Sequence, residues 1–213
     1  MHIVSVNVGK ESVLARIGGG KITTGINKVP ISGAVSVGDL GLAEDAVCDT
    51  KSHGGVDQAV YLYRQEDYEF WSAALGREVV AGSFGENLTV AGLPDPYLCV
   101  GDEIVLPNLR LQATAPRIPC NTLAAKMGDK LFPKKFIKAQ LPGIYCRVLE
   151  VGHVTVGDTF SIAAYEGDRI TTVEFFSDWL SNVSQEQLKR YLKVPIDIRS
   201  RRVMEEKMSV GIT

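Results

Sequence analysis

The feature that most limits the folds open to this chain is a change of hydrophobic period near residue 165. Before it, apolar residues alternate with polar ones, the period of a strand with one face buried. After it they return every three or four positions, the period of a helix. Alternating runs stand at residues 2–8, 12–17 and 59–63. Residues 103–106 and 109–115 predict a hairpin around Pro107-Asn108, residues 144–150 a further strand, and Gly152-His153 the turn of a last hairpin. Two helices interrupt the strands. One opens on Glu66 and Asp67, shows Tyr68, Trp71 and Leu75 on one face and closes on Gly76; the other is basic and covers residues 134–140. Beyond the change, Thr171-Thr172-Val173-Glu174 and Ser184-Gln185-Glu186-Gln187 have the spacing of capping boxes, and Asp197 can cap a third helix carrying Val203, Met204 and Met208. The pattern predicts an α+β protein: a strand-rich domain over residues 1–164 and a three-helix C-terminal extension over 165–213. So small a bundle is expected to pack on the strands rather than to stand alone.

Several functional classes are disfavoured early. With a net charge of −2 the chain has no general attraction for nucleic acid or anionic membrane. No apolar run approaches the roughly 20 residues a membrane span needs. The first residues read as a strand and not as a signal peptide. Gly18-Gly19-Gly20 makes a sharp turn or a flexible loop and not a dinucleotide fingerprint, because position 23 is threonine. Val-Gly-Asp recurs at residues 37, 100 and 156 as a turn before apolar residues, and the uneven spacing excludes a solenoid repeat. Four cysteines lie far apart with no C-x-x-C pair, which argues against zinc and iron–sulfur sites and for a reduced, cytoplasmic protein. Cys48, Cys99 and Cys146 sit in apolar patterning and read as buried structural thiols. His2 and His153 carry no functional signal.

The stretch Ala115-Pro116-Arg117-Ile118-Pro119-Cys120-Asn121-Thr122-Leu123 does carry one. Leu123, Ala124 and Met127 before Gly128 predict a short helix, with Pro119 as its first residue and Cys120 in its first turn. Free backbone N–H groups there, together with the Arg117 charge, favour a thiolate. Three other places combine small and polar residues beside strands: His53-Gly54-Gly55, Gly85-Glu86-Asn87 and Lys28. Glycines let backbone approach a ligand closely. Together the four would suit a phosphate-bearing cofactor with a soft metal on sulfur. Taken singly, His-Gly-Gly is a common turn, and an isolated cysteine is more often a small buried hydrophobe than a ligand.

The ordered set resembles the MOSC domain family, and within it the YiiM type. The matching residues are Lys28-x-Pro30, Gly41-Leu42-x-x-Asp45, His53-Gly54-Gly55-x-Asp57-x-Ala59-Val60-x-x-Tyr63, Tyr68-x-x-Trp71, Gly82-x-Phe84-Gly85-Glu86-Asn87-Leu88, Gly101-Asp102 and Pro116-Arg117-x-Pro119-Cys120. The helical tail resembles the three-helix extension of that type. Three positions depart from the family's usual residue: Glu44 and Ala115, where glycine and glutamine are usual, and Gln58, where lysine is frequent. The resemblance implies a β-barrel-like domain that binds molybdenum cofactor (molybdopterin). It implies Cys120 as the protein's ligand to molybdenum and Arg117 beside the metal or the phosphate. Lys28, His53, Gly54, Gly55 and Asn87 would line the pterin or its phosphate. It further implies an oxidoreductase that reduces N-hydroxylated small molecules such as hydroxylaminopurine, a detoxification chemistry, with electrons from a separate reductase or flavoprotein partner. The oligomeric state stays open, a dimer being one option. Two rival readings also stay open: sulfur transfer through a Cys120 persulfide, and a non-catalytic cofactor carrier.

Overall fold

A computed structural model of the protein describes residues 1–51, 53–93 and 98–210. Ser52, in the polar loop, and the last three residues of the expected tail lie outside the described residues. In chain order the elements are β1 (His2–Gly9), β2 (Ser12–Ala15), β3 (Lys21–Thr24), β4 (Lys28–Ile31), β5 (Val35–Gly38), β6 (Gly41–Leu42), β7 (Val60–Arg64), α1 (Glu66–Leu75), β8 (Leu88–Ala91), β9 (Glu103–Leu106) and β10 (Leu109–Ala115). There follow α2 (Asn121–Met127), α3 (Phe132–Ala139), β11 (Ile144–Glu150), β12 (Gly152–Val154), β13 (Ser161–Ala163), α4 (Thr172–Trp179), α5 (Gln185–Lys193) and α6 (Ile198–Val210).

Eight strands form one sheet in the order β13-β9-β10-β11-β7-β8-β1-β4. Its neighbours are antiparallel except β7 and β8, which run parallel with α1 as part of their crossover. The sheet curls. Ile3 N donates to Asp158 O (2.9 Å), Gly157 N to Ile3 O (2.8 Å) and Phe160 N to Met1 O (3.2 Å), so the segment leading into β13 lies along the start of β1. The curl stops short of a closed barrel, because the ladder of named strands ends at β4 and β13.

The period-two alternation sorts side chains between two cores. On β7, Val60 and Leu62 join Val6, Leu88, Leu111 and Ile144 inside the curl. Tyr61 and Tyr63 face the other way, into an aromatic cluster with Trp71, Phe84, Phe132 and Phe136. This second core fastens α1, α2 and α3 to the outside of the sheet. A third core joins Phe175, Leu188, Tyr191 and Met204 of the tail to Val100 and Ala115 of the strand-rich part.

Three local expectations need correction. Gly152-His153 does not turn a hairpin: β12 leaves β11 and pairs with β5, forming a separate three-stranded sheet with β6. Of the two proposed capping boxes only Ser184–Gln187 is complete. Thr171 accepts from Glu174 N, but the Glu174 carboxylate turns to Arg190 on α5, an ion pair that joins two tail helices. Asp197 does cap α6, accepting from Arg199 N (3.1 Å) and Ser200 N (3.2 Å). Cys48 is exposed rather than buried, while Cys99 and Cys146 are buried. Cys48 follows β6 on a stretch without regular structure, so its apolar neighbours Ala46 and Val47 do not imply a strand face.

Candidate cofactor and active site

The helix after β10 begins two residues later than its sequence suggests, at Asn121 rather than Pro119. Cys120 is the N-cap of α2, with extended backbone (φ −123°, ψ 169°), and Pro119 precedes the helix. Gly128 closes α2 in the left-handed conformation, as expected. At the N-cap the sulfur lies at the start of the helix, although its side chain makes no capping hydrogen bond of ordinary geometry. Burial by itself would raise the Cys120 thiol. The His53 side chain bonding the sulfur, the Arg117 charge and the Leu123 N–H outweigh it and bring the group down to about 6 from 9.0. Cys48 goes the other way: partial burial, with Glu11 and Asp45 nearby, raises it. Cys120 is therefore ionised at neutral pH and Cys48 is protonated.

Arg117 is buried beneath this site. Its Nη1 donates to Phe84 O at 2.5 Å and its guanidinium lies 5.1 Å from the Tyr61 ring centroid. Nε has no hydrogen-bond partner among the described residues. Tyr61 in turn lies against Tyr145, with ring centroids 4.8 Å apart. The loop that supplies the Phe84 carbonyl is shaped by Glu86, which is fully buried. Its carboxylate accepts from Gly82 N (2.6 Å), Phe84 N (3.1 Å), Thr89 Oγ1 (2.9 Å) and the Tyr68 hydroxyl. Gly85 has φ +73°, and a Cβ there would meet Ile26 Cγ1 at 2.9 Å and Arg117 Nη1 at 3.5 Å. Glycine at this place lets the loop close over the guanidinium.

Lys28 and Asn87 meet at Asp45. The Asp45 carboxylate accepts from Lys28 Nζ, from Asn87 Nδ2 (2.9 Å) and from Gly9 N (2.8 Å), while Asn87 Oδ1 accepts from Tyr61 N (3.1 Å). Burial lowers the Lys28 ammonium and the Asp45 charge opposes this. The cation that the sequence offers for a phosphate is thus already matched by a carboxylate.

His53 is held from a distance. Arg199 on α6 donates Nε to Lys51 O (3.1 Å), Nη1 to Gly54 O (2.8 Å) and Gln58 Oε1 (3.1 Å), and Nη2 to Thr50 O (3.0 Å) and His53 O (3.2 Å). One guanidinium fork from the tail fixes the backbone that presents His53 to the sulfur. Gln58 also reaches Asp197 Oδ1 at 3.4 Å. A lysine at position 58 has no acceptor to offer Arg199. A second clamp stands beside the first, where Asp57 accepts from Arg147 Nη2 (3.0 Å) and from Ile198 N (2.8 Å).

Lys28, His53, Gly54, Asn87, Arg117 and Cys120 line one cleft, with Asp45, Cys48, Tyr61 and Tyr145. Gly55 does not line it; it precedes the short turn of Val56–Gln58. A second cleft lies on the tail side of Cys120, lined by Ile118, Pro119, Trp179, Asp197 and Val203. Cys120, His53, Gln58 and Tyr145 border both clefts. Sequence reasoning missed Asp45, Gln58, Tyr61 and Tyr145 as parts of the site, although all but Tyr145 lie within or beside the motifs quoted above. It missed Arg199 for want of any local signal, since an arginine early in a helix reads as a solvated face.

No group of three or more His, Cys, Asp or Glu side chains among the described residues could cage a metal. A metal at Cys120 would have to bring most of its ligands with it, as one bound in dithiolene does. The soft thiolate, the unpartnered Arg117 Nε and the glycine-backed loops at Gly54 and Gly85 fit such a group.

The MOSC domain profile matches residues 49–161, which span His53 through Cys120. Uncharacterized protein YflK of Bacillus subtilis is 39% identical over 173 residues, 81% of this chain and 77% of that protein. A protein of Gibberella moniliformis named Reductase is 32% identical over 148 residues, 68% of this chain but 26% of that protein. The crystal structure of YiiM from Geobacillus stearothermophilus superposes with a TM-score of 0.81 at 27% identity, covering 97% of this chain and 98% of that one. A profile that spans His53, Arg117 and Cys120, a relative alike over most of both chains and a full-length structural match agree: this chain belongs to the MOSC domain family.

Proposed function

We propose that the protein binds a molybdenum cofactor in the cleft at Cys120 and reduces N-hydroxylated compounds, turning N–OH into N–H. The observation that carries this reading is the cleft that brings Cys120 together with His53, Arg117 and the glycine-backed loops at Gly54 and Gly85, a setting that lowers the Cys120 thiol. The family membership and the reductase-named relative support it. When bound, the cofactor supplies a molybdenum centre able to pass two electrons and take up oxygen. The overall change is R–NH–OH + 2e⁻ + 2H⁺ → R–NH₂ + H₂O, with the electrons drawn from a separate reductase or flavoprotein.

The chain's own residues then have distinct tasks. Cys120 is the soft donor to the metal, and its lowered pKa keeps it ready to bind without losing a proton first. Arg117 balances the sulfur charge and keeps Nε for an anionic group of the cofactor. The His53 side chain hydrogen-bonds the sulfur and helps to fix its direction. Burial raises the Tyr61 and Tyr145 phenols, so both remain protonated over the working range.

The test is metal and pterin content, measured together with turnover, in protein made by a host competent for the cofactor. Cys120→Ser keeps the volume but offers a harder, much less acidic donor, so activity should fall at least about 100-fold with melting unchanged. Cys48→Ser should retain activity. Full turnover by Cys120→Ser would sink the reading. A metal-free wild-type protein carrying a Cys120 persulfide would favour sulfur transfer instead.

A further inference from the structure

Three segments from distant parts of the chain wall the first cleft. Cys120 stands at the head of α2, Ile26 lies between β3 and β4, and Gly85 lies in the loop before β8. One side chain joins all three without lining the cleft itself. Lys126, half-buried in the last turn of α2, donates Nζ to Ile26 O (2.7 Å) and to Gly82 O. Gly82 is held from its other side as well, because its N–H donates to Glu86 (2.6 Å). It also sits directly on Lys28: Gly82 has φ +82°, and a Cβ there would meet Lys28 O at 2.5 Å. The two walls therefore touch at the place that Lys126 spans. A second carbonyl of the same loop, Phe84 O, goes to Arg117. Two cations thus divide one short loop between them, and only Lys126 belongs to the helix that Cys120 caps.

An ammonium between two carbonyls makes charge-assisted bonds, about twice as strong as neutral ones. Burial lowers the Lys126 group to about 8 from 10.5. The Arg117 and Lys28 charges add to this, and the Glu86 charge opposes it. At pH 7 Lys126 is a cation, and it loses that charge as the pH rises through 8.

We infer that Lys126 is a positioning residue for the first cleft: by tying Ile26 and Gly82 to α2, it sets the spacing between Cys120 and the two walls that would enclose a cofactor, a role that rests on the molybdenum reading as far as the cofactor is concerned. Lys126 acts through the backbone of those walls. Lys28 differs from it, because its charge is matched by the Asp45 carboxylate. Removing the Lys126 charge should loosen the cleft while that ion pair stays whole.

Lys126→Met keeps the length of the stem and removes the charge. In cofactor-free protein at pH 7, hydrogen exchange over residues 22–28 and 82–87 should rise together at least tenfold. Lys126→Arg should stay close to wild type. In protein loaded by a cofactor-competent host, molybdenum and pterin should leave on dialysis at least ten times faster from Lys126→Met. Wild type should lose them several-fold faster at pH 9 than at pH 7. Lys126→Arg, which stays charged, should show no such rise, and Lys126→Met should be fast at both. Packing alone would give no step near pH 8. Lys126→Gln takes the place of Lys126→Met if the latter fails to fold. A folded Lys126→Met protein with wild-type exchange in either segment, or with wild-type cofactor loss, overturns the inference. So does a wild-type loss rate that is flat from pH 7 to 9, or a rise that Lys126→Arg retains. If wild type takes up no cofactor, the molybdenum reading falls by itself and exchange alone judges Lys126. A joint rise in both segments then supports the role, and unchanged exchange overturns it.

Discussion

The two thiols that line the first cleft should react in the reverse order of their exposure. Cys48 is the more exposed, but its ionisation is pushed up; Cys120 is half-buried, but ionises at about 6. In cofactor-free protein at pH 7, iodoacetamide should label Cys120 first, with a rate that rises through pH 6 and then levels. Peptide mass spectrometry checks the order, and faster labelling of Cys48 would refute it. The linkage has a definite sign. An acid whose folded value lies below its ordinary 9.0 adds stability that is complete above pH 9 and is lost as the pH falls through 6. Glu44 makes a different residue-scale point. It holds φ +63°, a left-handed conformation in a position where the family usually has glycine. Left-handed strain costs a side-chain-bearing residue about 1–2 kcal/mol, and glycine's extra freedom in the unfolded chain costs about 0.5–1 kcal/mol. Strain wins, so Glu44→Gly should stabilise by up to about 1 kcal/mol in urea unfolding. An unchanged or lower midpoint would show that the strain is absorbed elsewhere.

At the scale of elements, the 49–58 segment and α6 act as one piece although far apart in sequence. The loop carries His53, and Arg199 gathers four of its carbonyls and the Gln58 side chain. Arg199→Ala should leave those groups without a charged donor. Hydrogen exchange over residues 49–58 should rise at least tenfold, and stability should fall by about 1–3 kcal/mol. Arg199→Lys should recover little, because one ammonium cannot reproduce a five-donor fork. Equal exchange in wild type and Arg199→Ala would remove the clamp. What was legible in the sequence follows from the same distinction between local and distant causes. The β9–β10 hairpin, α1 and the Ser184 capping box are written in neighbouring residues, and the sequence shows them. The β12–β5 pairing and the Arg199 fork depend on partners far along the chain. For those, period and turn chemistry hold no signal. The site divides in the same way. Cys120, Arg117, His53 and Asn87 appear as motif residues, but the pairing of Lys28 with Asp45 emerges only where β4 and the turn after β6 meet.

Across the whole molecule, the three cores are not independent. Ala115 of β10 belongs to the tail core, and Phe176 of α4 packs into the aromatic cluster beside Phe136. Strands and tail should therefore unfold together. In Trp179→Phe, the remaining Trp71 reports on the aromatic core while far-UV circular dichroism weights the helices. The two midpoints should coincide within about 2 °C, as one cooperative transition requires. A separate early loss of helix would show an autonomous tail. The curl of the sheet also bears on how the chain reaches this state during synthesis. Met1 and Ile3 are hydrogen-bonded to residues 157–160. β1 thus keeps part of one edge unpaired until most of the residues that follow it have been made. Loop closure over such a separation is slow, and an unpaired edge is a place where one nascent chain can capture another. The speed of translation, and the holding chaperones present while it runs, should therefore govern the yield of native protein more than its final stability does.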